Sequence, residues 1–362
     1  MGFSGATATS ACGNESLGLI MSFLVSLRPF CGEDAMENKK HLFGNAATLP
    51  SFSHDDTKDV HQHAKCLKGW RLDFLQMSEG PFEGEVVLFE LEGLKIIKDR
   101  ISQSVLKKGE LENASISFSV PLSEPTAPLV CQGKTYPHPG VLALSKGELP
   151  EIKVPAGLEL LCLSMDSLCL VELLDDPEAG IEQSLEAPCF MPIPDGYRNL
   201  ARLFEFTCHS RLLHDYTAVR CELRDDFLSQ MLVCLERGEV EKITASARKR
   251  VVDRARDFIV SNEDDAMTIL TLCRAIGVSR RKLQYCFQDC LGVSPVTYIR
   301  LYRLNEVHKS LLNGTETTHV QDEAARRGFY HLGRFSVEYR RLFGERPSET
   351  LRRARSHRVE SG

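Results

Sequence analysis

The last third of the chain carries one short pattern twice. The first copy reads Cys273-x3-Gly277, then Leu283-x3-Phe287-x4-Gly292-x2-Pro295; the second reads Ala324-x3-Gly328, then Phe335-x3-Tyr339-x4-Gly344-x2-Pro347. Equivalents lie 52 residues apart from Leu283 onward and 51 apart before it, so the second copy has one extra residue in its turn. A small residue, a glycine four positions on, a short turn and a helix with an aromatic anchor spell a helix-turn-helix. Two such units on one chain can set two recognition helices into successive major grooves.

Charge follows the same division. Residues 245–353 hold 20 Lys and Arg against 13 Asp and Glu, whereas residues 1–244 hold 22 against 36, inside a total of −6. A basic end on an acidic body suits a polyanion-binding module joined to a part that avoids polyanions. The 13 cysteines include no C-x-x-C pair, which fits reduced thiols and argues against a disulfide framework. Cys286 and Cys290 stand one helical turn apart with no second pair, so no metal is expected.

The N-terminal region divides more loosely. Residues 1–65 lack pattern and read as a disordered extension, with Met21 or Met36 as alternative starts. The apolar run Leu17–Leu27 is too short to cross a bilayer and has no preceding Lys or Arg, so no membrane contact and a cytoplasmic address are expected. From Trp70 to Met165, short alternating runs are separated by turn signals such as Glu92-Gly93 and Pro155-Ala156-Gly157, as in a small barrel or jelly roll. Glu172–Gly196 is acidic and proline-rich and reads as a loop, and His138, between prolines, as a loop residue. Arg198–Arg237 has helical periodicity and reads as a helical hairpin, either core or a dimer face. The expected fold class is α+β: residues 66–240 form a sensing and dimerisation domain, and residues 245–353 an all-α DNA-binding domain.

In the first unit a helix near Arg248–Val260 precedes the support helix Met267–Ile276, whose Ile269, Leu272 and Ile276 face inward. Gly277 permits a tight exit, Ser279 is a natural N-cap, and Leu283 and Phe287 anchor the recognition helix. That leaves Arg280, Arg281, Gln284 and Tyr285 to read bases, since Arg pairs with guanine and Gln with adenine. Lys282 and Gln288 fall to phosphate. In the second unit Asp322–Arg327 is the support helix, His331 or Gly333 begins the recognition helix, and Phe335 and Tyr339 anchor it. His331, Arg334, Ser336 and Val337 face outward; the first three are assigned to bases, and Arg340, Arg341 and Arg346 to phosphate. Arg303 is a linker-helix residue touching backbone or an acid.

Together, Gly277-x-Ser279-x3-Leu283-x3-Phe287-x4-Gly292-x2-Pro295-x2-Tyr298, Arg303-Leu304, and Gly328-Phe329-x5-Phe335-x3-Tyr339-Arg340-x3-Gly344-x2-Pro347 resemble the AraC/XylS family of bacterial transcription regulators. The resemblance implies two helix-turn-helix units joined by one long helix, here Pro295–Asn313, and a cupin-like sensing and dimerisation domain. It also implies double-stranded DNA and RNA polymerase as partners, a homodimer, a small-molecule effector and no cofactor. Two positions depart from the family pattern: Glu323 and Arg327 stand where apolar residues are usual. A buried unpaired carboxylate is costly, so either the two pair at i,i+4 or their helix sits shallowly.

Three functions compete. The first is a ligand-responsive, sequence-specific transcription regulator. An enzyme would be a cupin catalyst with clustered His and Glu on strands, or a repair alkyltransferase with a four-Cys zinc site; neither set is present. The third is a protein-interaction module whose second unit no longer reads DNA.

Overall fold

The computed structural model describes residues 52–360 except 113–114, 123–126, 137–139, 146, 167–187, 194–196, 210–215, 237–239 and 263–266. Leu17–Leu27, Met21, Met36, His138 and most of Glu172–Gly196 lie outside the described residues.

The N-terminal part is built from two antiparallel sheets. Among the described residues the larger has the order β1 (Phe52–Thr57), β3 (Gly84–Leu91), β4 (Leu94–Ile101), β11 (Glu159–Asp166), β6 (Ser115–Pro121), β9 (Gly140–Ser145), β12 (Cys189–Pro192), β13 (Glu241–Lys242). The smaller has the order β2 (Trp70–Gln76), β5 (Val105–Leu111), β10 (Glu148–Val154), β7 (Leu129–Cys131), β8 (Lys134–Tyr136). Both sheets keep edge strands, so of the two expected shapes the open jelly-roll-like sandwich holds and the closed barrel does not. The β3–β4 hairpin pairs Leu91 with Leu94 across Glu92-Gly93, both at positive φ (42° and 86°). That left-handed pair is the two-residue turn whose twist matches its strands.

Both faces of the larger sheet are buried, which is why its strands read as nearly continuous apolar runs. Val86, Leu88 and Ile97 pack against Phe74, Val105 and Ile152 of the smaller sheet. Val87, Phe89 and Ile96 face the opposite way, onto Leu200, Leu203 and Phe204 of a helix that follows, and Phe227 of the next. The helical stripe between Arg198 and Arg237 therefore covers the sheet. Its buried apolar residues belong to the core, the first of the two roles expected for this segment.

Two expectations need correction. Residues 52–65 are not an extension: β1 pairs with β3, and α1 (Val60–Cys66) starts at Asp59, whose carboxylate accepts from the His61 and Gln62 amides at 2.9 Å. The low local hydrophobicity misled because α1 is tied down by polar groups. His63 is fully buried, its Nε2 2.8 Å from Asp99 and its Nδ1 2.9 Å from Thr57 Oγ1. Gly84 makes room for that ring: a Cβ there would lie 2.3 Å from His63 Nδ1. The second correction is β12, which occupies Cys189–Pro192 inside the segment read as loop.

The remaining helices are α2 (Tyr197–His209), α3 (Thr217–Glu236), α4 (Ala247–Ser261), α5 (Ile269–Ile276), α6 (Arg280–Leu291), α7 (Pro295–Leu312), α8 (Val320–Arg326), α9 (Leu332–Phe343) and α10 (Pro347–Glu360). Helices α4–α10 share one core, in which Leu283, Phe287 and Tyr298 serve the first unit and Phe335, Tyr339 and Phe343 the second. Helix α10, which the sequence reading did not anticipate, buries Thr350 and Leu351 against this core.

Candidate nucleic-acid interface

The first unit is closed at every corner by local chemistry. Gly277 ends α5 in the left-handed region (φ 69°), where its N–H and that of Val278 both reach the Cys273 carbonyl. Ser279 Oγ then accepts from the Lys282 amide at 3.2 Å and starts α6. Leu283, Cys286, Phe287, Cys290 and Leu291 are buried, which turns Arg280, Arg281, Lys282, Gln284, Tyr285 and Gln288 outward together. The Arg281 guanidinium lies 5.7 Å from the Tyr285 ring, a cation–π contact that steadies both. Cys286 and Cys290 point into the core, where burial pushes both thiols up, Cys290 to about 11.

The second unit repeats the geometry with weaker caps. Gly328 (φ 77°) ends the support helix, and the Phe329 amide reaches the Ala324 carbonyl as Val278 reaches Cys273. His331 stands at the N-cap of α9 without a side-chain capping bond. Phe335 and Tyr339 are buried; His331, Arg334, Val337, Arg340, Arg341 and Arg346 are exposed, and Ser336 is half-buried. The guanidinium of Arg303 packs over Gly328, 3.0 Å from where a Cβ would stand.

Glu323 and Arg327 follow neither expected course. Glu323 accepts from Arg326 at 2.9 Å, and Arg327 reaches Glu306 of α7 at 3.5 Å. Each charge is met by a different neighbour, so Ala324 between them still reaches the core fully buried.

The sheet domain grips this module through groups that sequence reading missed. Asn305 of α7 exchanges a pair of hydrogen bonds with the Gln76 backbone, accepting from N–H at 2.9 Å and donating to C=O at 3.1 Å. Gln76 Nε2 donates to the Leu342 carbonyl at 2.7 Å, and the Gly80 amide lies 3.0 Å and 3.1 Å from the Arg341 and Leu342 carbonyls. Glu79 pairs with Arg341 at 2.5 Å, so in this conformation a residue assigned to phosphate also serves the domain junction. Asp59 meets His308 of α7; His308 Nδ1 lies 2.5 Å from the Tyr339 hydroxyl, and that hydroxyl 2.8 Å from Thr350 Oγ1. Glu151 of β10 pairs with Lys249 and Arg256 of α4. The available signal was polar Asn305 and His308 in the apolar phase of Leu301, Leu304, Val307 and Leu311.

Between the two sheets lies a largely apolar cavity of about 50 Å³, lined among others by Trp70, Leu142, Leu149, Leu158 and Phe190. Lys107 and Ser119 are its polar members. Lys107 Nζ is 3.0 Å from Asp99. Burial pushes the ammonium down, but the adjacent carboxylate outweighs it and holds Lys107 above its ordinary value. No helix among the described residues is long and apolar enough to cross a membrane.

Residues 272–353 match the family described as helix-turn-helix domain. Over 103 residues the chain is 37% identical to the probable thc operon regulatory protein of Rhodococcus erythropolis, covering 28% of this chain and 31% of that protein. Over 100 residues it is 36% identical to XylDLEGF operon transcriptional activator 2 of Pseudomonas putida, covering 27% of this chain and 64% of that one. The similarity thus spans less than two thirds of either relative. Among solved structures, the AraC-like transcriptional activator CuxR matches 70% of this chain and 94% of its own at 17% identity and a TM-score of 0.36. A transcriptional regulator from Chromobacterium violaceum with an AraC-type DNA-binding domain matches 29% and 93% at 27% identity and a TM-score of 0.27.

Proposed function

We propose that this chain, whose C-terminal module is a helix-turn-helix domain of the AraC/XylS type, is a sequence-specific DNA-binding transcription regulator that answers to a small molecule. The observation that carries the reading is the paired outward faces of α6 and α9, each mounted on a buried aromatic anchor and each fringed with arginine. Arg280, Arg281, Gln284 and Tyr285 supply the base contacts of the first unit, and His331, Arg334 and Ser336 those of the second. Lys282, Arg340, Arg341 and Arg346 neutralise phosphates, and Gln288 donates a hydrogen bond to one. Such contacts position the protein, while base-edge contacts specify the site.

The cavity between the sheets is the effector site in this reading. Its walls are apolar, with Lys107 and Ser119 as polar members, and at about 50 Å³ it must widen to take an organic effector, since ligand pockets run to roughly 300–1,000 Å³. The junction of Gln76, Glu79 and Gly80 with α7 and α9 is the route by which occupancy reaches the DNA-reading surface. The name of the XylDLEGF relative favours activation, and the family resemblance favours RNA polymerase as a partner and a homodimer in the cytoplasm.

The test is a salt titration of the full-length chain on duplex DNA. Each neutralised phosphate contributes a slope of about −0.9 in log K against log salt. A slope of several units with preference for a selected sequence supports the reading; no binding at low salt overturns it. Sedimentation at tens of micromolar tests the dimer.

A further inference from the structure

The two recognition helices carry different chemistry at matched positions. At the 52-residue offset, Arg280, Arg281, Gln284 and Tyr285 of α6 correspond to Leu332, Gly333, Ser336 and Val337 of α9. Long polar side chains on the first helix are replaced by short or apolar ones on the second. Val337 is 68% exposed and Leu332 42%.

Gly333 sharpens the contrast. It lies within the helix with no positive φ, and a Cβ there would meet nothing within 4 Å. Nothing inside the protein requires a glycine at this place, and glycine weakens a helix. Its effect is external: position 333 presents no side chain between Leu332 and Arg334, and Val337, one turn further on, is exposed. Arg334, one residue after Gly333, donates from Nε to Glu338 at 2.9 Å, and Glu338 is also held by Arg300 of α7. At the same offset Arg334 matches Lys282, a residue of the phosphate set.

We infer that the second recognition helix reads DNA by apolar contact with thymine C5-methyl groups, with Val337 as the specificity-determining residue and Leu332 beside it. The inference rests on the DNA-reading function proposed above. A thymine exposes its methyl at the major-groove edge, where an aliphatic side chain distinguishes it from cytosine without a hydrogen bond. Short side chains demand that the helix lie close to the base edges, and the missing side chain at Gly333 permits that approach. Arg340 and Arg346, exposed at the far end of the helix and just past it, supply the charge that brings the duplex in. Arg334, whose Nε is engaged with Glu338, adds the base contact proposed above to this apolar readout. The preferred site therefore has two unlike parts: a guanine- or adenine-reading part under α6 and a thymine-reading part under α9.

The test uses the full-length chain and a preferred duplex selected from a random library. Each thymine is then replaced singly by deoxyuridine, which removes the methyl and leaves base pairing intact. Deoxyuridine at one or two positions in one part of the site should weaken binding about fourfold each, the effect of exposing one buried methyl. In Val337→Ala the same replacements should have a clearly smaller effect, because the valine γ-methyls that meet the thymine methyl are gone. Val337 is exposed, so this variant should fold, and Val337→Ile should restore the sensitivity. Deoxyuridine without effect at every position overturns the inference, as does an undiminished effect in Val337→Ala. Failure to select any preferred duplex overturns the DNA-reading function itself and the inference with it.

Discussion

Asp59 and His308 lie 249 positions apart in the chain, yet Asp59 Oδ2 is 2.5 Å from His308 Nε2 with both side chains buried. One carboxylate thus does two jobs: Oδ1 caps α1, and Oδ2 ties that helix to the long helix between the two helix-turn-helix units. Burial works to raise the Asp59 carboxyl, but the hydrogen bond and charge of His308 outweigh it and hold the group at about 2.

Asp59→Ala should destabilise the protein by about 2–4 kcal/mol. Roughly 1 kcal/mol belongs to the lost cap, and the rest to a buried imidazole left without its partner. Asp59→Asn keeps a capping oxygen and should cost less than Asp59→Ala. Urea unfolding at pH 7 measures both; equal losses would show that the cap contributes nothing and that the pairing with His308 alone matters.

Acid should weaken the same corner in two stages. Burial, opposed by the charge of Asp59, pushes His61 down to about 4 from an ordinary 6.5. The unfolded chain then binds a proton near pH 6.5 that the folded chain refuses until about pH 4, so stability is lost as pH falls across that window. Asp59 is lowered from 3.8 to about 2. Its contribution is complete above pH 3.8 and is lost as pH falls toward 2. His61→Gln, neutral throughout, should show a shallower decline between pH 6.5 and 4 than the wild type, read from urea midpoints at several pH values. Parallel declines would reject this role for His61.

The two N-caps give a paired prediction. Ser279→Ala should cost about 1 kcal/mol, since it removes the bond to the Lys282 amide. His331→Ser should add stability of roughly 0.5–1 kcal/mol, because His331 makes no side-chain cap. Thermal unfolding of the two variants reads the difference directly.

Both helix-turn-helix units were legible in the sequence because their constraints are local. A left-handed glycine and anchors four residues apart are chemical necessities of the tight turn in both units, joined in the first by a capping serine, and each left a letter in the sequence. The larger sheet was legible as strands, but its closure was not: Val86 and Val87 bury on opposite faces, and alternation cannot say whether the opposing layer is a sheet or a helix. What the sequence hid was long-range and polar. Asp59, Gln76 and Asn305 gain meaning only when partners more than two hundred positions away arrive. Arg341 was assigned from its place on α9, and nothing nearby in the chain announces Glu79.

The pairing of Glu79 with Arg341 leads to the last prediction. The two side chains are 52% and 70% exposed, so the ion pair itself contributes little stability. Its effect is on availability: a guanidinium held by a carboxylate is not free for phosphate, and the carboxylate places negative charge beside the exposed arginines of α9. Glu79→Gln removes that charge and should leave the unfolding midpoint within about 0.5 kcal/mol of wild type. It should tighten binding to all duplexes alike and steepen the salt slope by about one unit, because one more cation is free to displace counterions. Adding Arg341→Ala to Glu79→Gln should cancel that gain, so the double variant should match Arg341→Ala alone. Arg281→Ala, by contrast, should cost about 1–3 kcal/mol on the preferred site only, and Arg334→Ala should lose less specificity than Arg281→Ala. Titrations on the preferred and a scrambled duplex at several salt concentrations separate these outcomes. If Glu79→Gln leaves the slope unchanged while Arg341→Ala flattens it, Arg341 reaches DNA whether or not Glu79 holds it, and the pair plays no part in gating.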